Sequence, residues 1–503
     1  MDAVTDVTQA QAIIARQQAE IDRLTRENTV LREQIDEFCR RRFGQSSERV
    51  TDDQLRLAFA ELGQPAPIPG EPTETDSGER PGPVRVRRRP TGRRPLPASL
   101  PRERVEIDLP DAEQTCACGT AKIRIGESTT EKLEYIPARL KVLVLARAKY
   151  ACPRCHDGVV EAPAPPQALE KSLAAEGLLA HVVVAKYVDH LPLYRQAHIF
   201  AREGLDLSRS TLCDWTADVA DALTPIGDQI RREVVATDYL QTDDTSITIL
   251  TEPAGRLTGR IWTYLDPLGR QVIYDATPTH EGHEPATFLA TFRGTLQADA
   301  YTGYDALYRT GRITELGCWA HARRYFVEAL ATDARAAPML VQIRQLYHVE
   351  DEAAALGPDE RRRRRREQSV PILVEIDRER RALAEGVLPK SPLGDALRYL
   401  GNQWEALQRF VEDGRVAIDN NRAENQLRII ALGRKNWLFA GSLAGAKRAA
   451  LLYSLVQSCR LAEVSPFEYL KDVLIRIATH PQSQIAQLTP RAWAATFRTR
   501  IAA

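Results

Sequence analysis

Three acids in this chain stand where chemistry could use them together. Asp243 lies in the alternating, β-branched run YLQTDDTSITILT (239–251), Asp299 in GTLQADA (294–300), and Glu424 in DNNRAENQLR (419–428). Converging carboxylates make a hard-oxygen site suited to Mg²⁺, which keeps several waters and accepts phosphate oxygens. Two such ions can activate a nucleophile and stabilise a leaving oxygen during in-line attack on a phosphodiester. Each acid alone has a plainer use: Asp243 as a turn former, Asp299 as a helix cap, Glu424 as an ion-pair partner for Arg428. A second set is thiolate: Cys116 and Cys118 in CACG, Cys152 and Cys155 in CPRC. Two close pairs of this kind suit one structural, tetrahedral Zn²⁺. The first pair is Cys-x-Cys rather than Cys-x-x-Cys, and His156 stands next to the second as a competing ligand. Cys39, Cys213, Cys318 and Cys459 are isolated and read as packing residues.

The acids need elements that bring them together. YLQTDDTSITILT, RIWTYLD and QVIYDA read as three strands joined by short turns. A helical stretch, EPATFLATF, follows, then a strand ending at Asp299, a fifth strand, ITELGCWA, and the helix HARRYFVEAL. That order is the order of a ribonuclease-H-like mixed sheet, in which the first and fourth strands are neighbours. Glu424 and Leu427 share a helix face that continues to Ile430, so a helix capped by Asp419 or Asn420 should turn Glu424 toward the sheet. An unpartnered carboxylate there is costly unless a cation neutralises it. The core is therefore predicted in two parts, 236–332 and 419–460. Residues 333–418 are too many for a loop and predict a helical insertion. Its run RRRRRR (361–366) is expected to meet phosphate. Residues 461–503 read as a C-terminal helix and tail.

Ahead of the core, residues 1–44 carry sevenfold series at Ile14, Ile21, Asn28, Ile35 and at Gln17, Leu24, Leu31, Phe38. They predict a parallel coiled coil and hence a homodimer, with Asn28 fixing the register. Residues 45–110 form a Pro/Arg-rich linker. Its 80–104 stretch has nine arginines, including Arg87, Arg88 and Arg89, and one acid, Glu103, a composition that can lie along phosphates. Residues 111–165 would be the zinc module. In 166–235, LPLYRQAHIFAREG and the Ser208-capped SRSTLCDWTADVADAL have a helix-turn-helix-like outline.

Composition sets the frame: 503 residues leave room for about three domains. Lys+Arg and Asp+Glu are 68 each, so the charge that matters is local. No apolar run approaches the roughly 18 residues of a membrane span, and MDAVTDVTQAQ lacks the basic start and apolar stretch of a secretion signal. Sparse cysteines in close pairs fit metal binding in a reducing cytosol rather than a disulfide scaffold. The expected class is multidomain α+β, with no membrane partner.

At TDDTSI, LQADAYTGY, GCWAHARRYF and DNNRAENQLR...GRKNWLFAGS the chain resembles transposases of the insertion sequence 66 family, in the DDE class of polynucleotidyl transferases. The order of its modules is similar along nearly the whole length. The resemblance implies Asp243, Asp299 and Glu424 as the metal-binding acids, holding two Mg²⁺ for which Mn²⁺ can substitute. It implies DNA ends and target DNA as partners, small accessory transposition proteins, and a bacterial, nucleoid-associated location in the cytoplasm. Where the family usually reads Asp-Glu-Thr, this chain has Asp243-Asp244-Thr245, and the first acid aligns with Asp243. Arg323, Arg324, Arg434 and Lys435 flank the acids and are the candidates for holding the DNA strand. The pair Cys318 and His321 is assigned to packing and positioning, since two ligands do not make a zinc site. Two other readings remain: a non-catalytic DNA-binding repressor derived from a transposase, and a structure-specific nuclease of the same fold.

Overall fold

The computed structural model describes residues 140–150, 160–170, 172–253 and 255–502. The coiled coil, the linker with Arg87, Arg88 and Arg89, and the four cysteines Cys116, Cys118, Cys152 and Cys155 lie outside them. Of the segment 111–165, a short antiparallel pair is described, β1 (Lys149–Tyr150) with β2 (Val160–Glu161).

Helices α1 (Glu176–Tyr187), α2 (Leu193–Arg202) and α3 (Arg209–Val235) follow. The chain leaves α2 through Gly204 at φ +83°, a left-handed conformation that glycine adopts without a Cβ penalty. Ser208 caps α3 by accepting the N–H of Thr211 at 3.0 Å, as the sequence predicts. The helix then runs far beyond a recognition helix. Val219, Leu223, Ile226, Ile230 and Val234 on one face are fully buried, so most of its length is a core element of the sheet layer.

The sheet is built from β3 (Tyr239–Thr251), β4 (Gly255–Asp266), β5 (Gln271–Thr277), β6 (Gly294–Gln297) and β7 (Ile313–Leu316), in the order β5-β4-β3-β6-β7. β3, β4 and β5 form the expected antiparallel meander, while β6 runs parallel to β3 and β7 parallel to β6. α4 (His283–Phe288) bridges β5 and β6, and α5 (Asp305–Tyr308) bridges β6 and β7. The fifth strand stops before its predicted end. The Gly317 N–H leaves the ladder for the Ala406 carbonyl, and Trp319 already opens α6 (Trp319–Leu330).

After α6 the chain forms α7 (Ala337–Glu352), α8 (Pro358–Arg364), a π-helical turn at Arg365–Ser369, α9 (Val370–Ala384), α10 (Pro392–Asn402) and α11 (Trp404–Gln408). Their apolar faces make a core with Trp319 and Phe326 of α6 and with Tyr239 and Leu316 of the sheet. The arginine run expected to meet phosphate makes contacts within this layer, most of them at its surface. Arg361 donates to the Ala353 and Ala354 carbonyls, and Arg362 and Arg366 pair with Glu412. Arg363 pairs with Glu360, and Arg364 with Glu352. Arg365 is wholly buried. A six-residue run wraps all round a helix, so one of its members must point inward.

The chain returns through α12 (Asn421–Trp437) and α13 (Leu443–Leu461), and ends in α14 (Pro466–Ile477) and α15 (Pro490–Ala502), two helices where the sequence suggests one. Part of the outer edge of strand β5 is covered by α13. The Ser458 hydroxyl of α13 donates to the Val272 carbonyl, and the N–H groups of Val272 and Tyr274 donate to Ser458 and Ser454. A helix laid along an edge in this way prevents pairing with another chain. No helix among the described residues is long and apolar enough to cross a membrane.

Candidate active site

β3 and β6 are held together as far as the pair Gln241 and Gln297. Gln241 Nε2 donates to Gln297 Oε1 at 2.8 Å, which puts both side chains on one face. Asp243 and Asp299 each stand two residues further on, and alternation returns a side chain to the same face after two residues. The two acids thus meet where β6 ends and the strands part. The glutamines also fix what lies opposite. Gln241 donates to the Asp419 carbonyl and Gln297 to the carbonyls of Gly317 and Ala417, while the Tyr239 hydroxyl donates to Gln297 and receives the Ala417 N–H. Asn420 donates to the Thr242 carbonyl at 3.2 Å. Segment 417–420 is the entry to α12, so this network aims Glu424 at the acids. Ala423, Leu427 and Ile430 bury the sheet-facing side of α12, and Glu424 is left 27% exposed beside them.

The electrostatics follow from that crowding. Burial, with the fields of Asp299, Glu424 and Asp244 added, pushes the Asp243 carboxyl up to about 8, opposed by the N–H of Asp244 on its Oδ1. Burial and Asp244 also raise Asp299. Asp244 itself points to the other face. Arg260 Nε lies 3.2 Å and His280 Nε2 3.1 Å from its two oxygens, and His280 stacks on Tyr301 with centroids 4.2 Å apart. Of the neighbouring aspartates, Asp243 carries the unbalanced charge. Carboxylates such as Asp243, Asp299 and Glu424 suit a hard divalent cation, and a shortage of counter-charge at Asp243 is what such an ion would relieve.

A pH dependence results. An acid whose folded pKa stands above its unfolded value binds its proton more tightly in the native state, so stability falls as pH rises through that window. For Asp243 the window runs from 3.8 to about 8. In metal-free protein, Asp243→Asn should raise the melting temperature most at pH 8 and least near pH 5. A difference that stays flat across this range in thermal unfolding would contradict the charge crowding.

The flanking cations divide. Arg324 is exposed, its guanidinium 3.7 Å from Glu424, while Arg323 is half-buried and Lys435 exposed on α12. Arg434 donates to Thr245 Oγ1 at 3.0 Å and to the Ser246 carbonyl, tying α12 to β3. His321, set aside in the sequence as a positioning residue, lies 3.6 Å from Glu424. Burial and then Arg324 lower its pKa to about 4, and burial pushes the Cys318 thiol up to about 12. The glutamines and Tyr239 went unnoticed in the sequence. Their signal was there, since both aspartates end the same pattern, Leu240-Gln241-Thr242-Asp243 and Leu296-Gln297-Ala298-Asp299.

Acids drawn from two neighbouring parallel strands and a helix facing them define an α/β protein with a carboxylate-lined site. The particular family comes from comparison. Residues 171–448 match the "Transposase IS66 family", and the chain belongs to that family. Residues 30–105 match "Transposase C of IS166 homeodomain", 113–156 the "zinc-finger binding domain of transposase IS66", and 454–491 the "IS66 C-terminal element". The zinc-finger match spans all four paired cysteines. Two uncharacterized proteins of Sinorhizobium fredii (strain NBRC 101917 / NGR234) are similar over most of their length. One, y4hP, is 36% identical, covering 91% of this chain and 88% of its own. The other, y4qI, is 34% identical, covering 90% and 86%. No solved structure matches the chain.

Proposed function

We propose that this chain is a DNA transposase that binds the ends of its mobile element, cuts there, and joins the freed strand to target DNA. What supports it is membership of a transposase family, with the charges of Asp299 and Glu424 both acting on the buried Asp243 carboxyl, on a sheet whose strand order matches that expected of a ribonuclease-H-like core. Asp243 would offer oxygens from within β3 and Asp299 from just past the end of β6, and Glu424 would close the site from α12. Bound there, a pair of Mg²⁺ or Mn²⁺ ions would activate the attacking oxygen and stabilise the leaving one. Arg324 stands at the rim, exposed enough to meet a phosphate. Cleavage and strand transfer are the same displacement with a different attacking hydroxyl, so one set of acids serves both. DNA contact is assigned to the N-terminal modules: the arginine-rich stretch, the zinc module and the exposed start of α3. The sevenfold apolar pattern of 1–44 would pair two chains, and so hold two ends together.

The test is purified full-length protein with linear DNA carrying the element ends, a plasmid target and Mg²⁺. End-specific cuts and joined products are expected. Cutting indifferent to end sequence would make this a structure-specific nuclease, and end binding without cutting in any divalent ion would make it a repressor.

Zinc content gives an independent result. Cys152→Ser should cost the protein one zinc per chain, measured by elemental analysis, and open the 111–165 region to protease, because metal binding and folding are coupled in so small a module. Unchanged zinc and unchanged proteolysis would remove Cys152 from the ligand set.

A further inference from the structure

We propose that Cys318, His321 and Glu424 hold a thiophilic divalent ion, Zn²⁺ or Co²⁺, separate from the four-cysteine module. One ligand atom from each lies within 4.8 Å of the other two. Zn–S and Zn–N bonds of about 2.3 and 2.0 Å put the corners of one tetrahedron roughly 3.5 Å apart, so small side-chain rotations close the set. Cys318 is the N-cap of α6 and His321 stands in its first turn, which places both on one side of the helix start. The N–H groups of His321 and Asn420 point at the Cys318 sulfur, as a bound thiolate requires. Among the described residues the His321 ring makes no hydrogen bond. Its Nδ1 is buried without a partner among the described residues, and its Nε2 stands 3.6 Å from Glu424 Oε1, beyond hydrogen-bonding range. A buried ring nitrogen left so is costly, and a bound metal would satisfy it. Thiolate, imidazole and carboxylate together select a borderline-soft ion, with a fourth position open. Glu424 Oε1 faces His321 while Oε2 faces Arg324, and in the transposase reading the same carboxylate would also serve the ions held by Asp243 and Asp299. That sharing rests on the proposed function; the binding of the ion does not.

The experiment loads full-length protein with Zn²⁺, dialyses it against metal-free buffer and counts zinc in wild type, Cys318→Ser, His321→Gln and Cys152→Ser. Each variant should hold one equivalent less than wild type. With Co²⁺, the wild-type minus Cys318→Ser difference spectrum should contain a thiolate-to-cobalt charge-transfer band. Circular dichroism identifies folded variants, and His321→Gln decides the matter if Cys318→Ser does not fold. Zinc content equal to wild type in folded Cys318→Ser or His321→Gln overturns the site. Glu424→Gln separates the two readings: lost zinc with cleavage intact keeps the site and sinks the catalytic role, and unchanged zinc with cleavage lost does the reverse for its share in the site.

Discussion

Glu424→Gln should abolish strand cleavage and strand transfer together, by on the order of 10³-fold or more, the scale of removing a group that acts as part of one catalytic unit. Glutamine keeps the size of the side chain and can still meet Arg324, so α12 should stay docked on its buried Ala423, Leu427 and Ile430 face. On the proposed function, binding to end DNA would rest on basic segments elsewhere in the chain and should remain near wild type, with the steep salt dependence of phosphate contacts. Asp243→Asn and Asp299→Asn should behave alike, and the double variant should be little worse than either. Asp244→Asn should keep much more activity, because Asp244 is already engaged by Arg260 and His280 on the opposite face. Gel assays with labelled ends in Mg²⁺ measure all of this. A dead Asp244→Asn beside an active Asp243→Asn would move the first acid by one residue. Cutting by all three variants of the trio would end the catalytic reading.

The largest effect on stability is expected at Arg365. Its guanidinium makes a bidentate pair with Glu350 at 2.7 and 2.6 Å and donates to the carbonyls of Phe410, Asp413 and Val416. It is fully buried and lies over the Phe410 ring, 5.1 Å from its centroid. Arg365→Ala leaves a partly buried carboxylate and three carbonyls without their donor, a loss of about 3–5 kcal/mol. Arg365→Lys should rescue little, because an ammonium cannot reproduce the planar fork. Arg363→Ala, in the same run but exposed and paired only with Glu360 and Glu367, should change stability by no more than about 0.5 kcal/mol. Urea unfolding followed by limited proteolysis of 333–418 measures the contrast. Equal effects at the two positions would refute the anchoring role of Arg365. The segment Arg365 holds leads straight to Asp419 and α12, so Arg365→Ala should also depress cleavage without touching an acid.

What the sequence determined by itself is what local periodicity encodes. The β-branched alternation of 239–251 marked a strand, and the spacing of Glu424, Leu427 and Ile430 marked a helix face turned to the sheet. Ser208 announced its helix because a cap bond is made within one turn. The strand order followed from the order of elements, since parallel β6 can reach β3 only after a crossover. The doubled Leu-Gln-x-Asp pattern was legible too, but its meaning was not. A glutamine two residues before an acid becomes a positioning group only when its neighbour across the sheet is another glutamine and 417–420 passes overhead.

Tertiary structure alone decided the rest, because those choices depend on partners distant in the chain. Six consecutive arginines look alike as charge. Arg365 became the buried one because Glu350 and the carbonyls of 410–416 surround it and no other member of the run. Asp243 and Asp244 look alike as acids, and the pleat separated them, giving Asp244 to Arg260 and His280 and leaving Asp243 in the field of Glu424, while Asp299 interacts with both. Cys318 and His321 look like two stray ligands in sequence. Trp319 bonded to Ile418, and Asn420 bonded to Thr242, bring the start of α6 beside the start of α12, and there Glu424 makes the third.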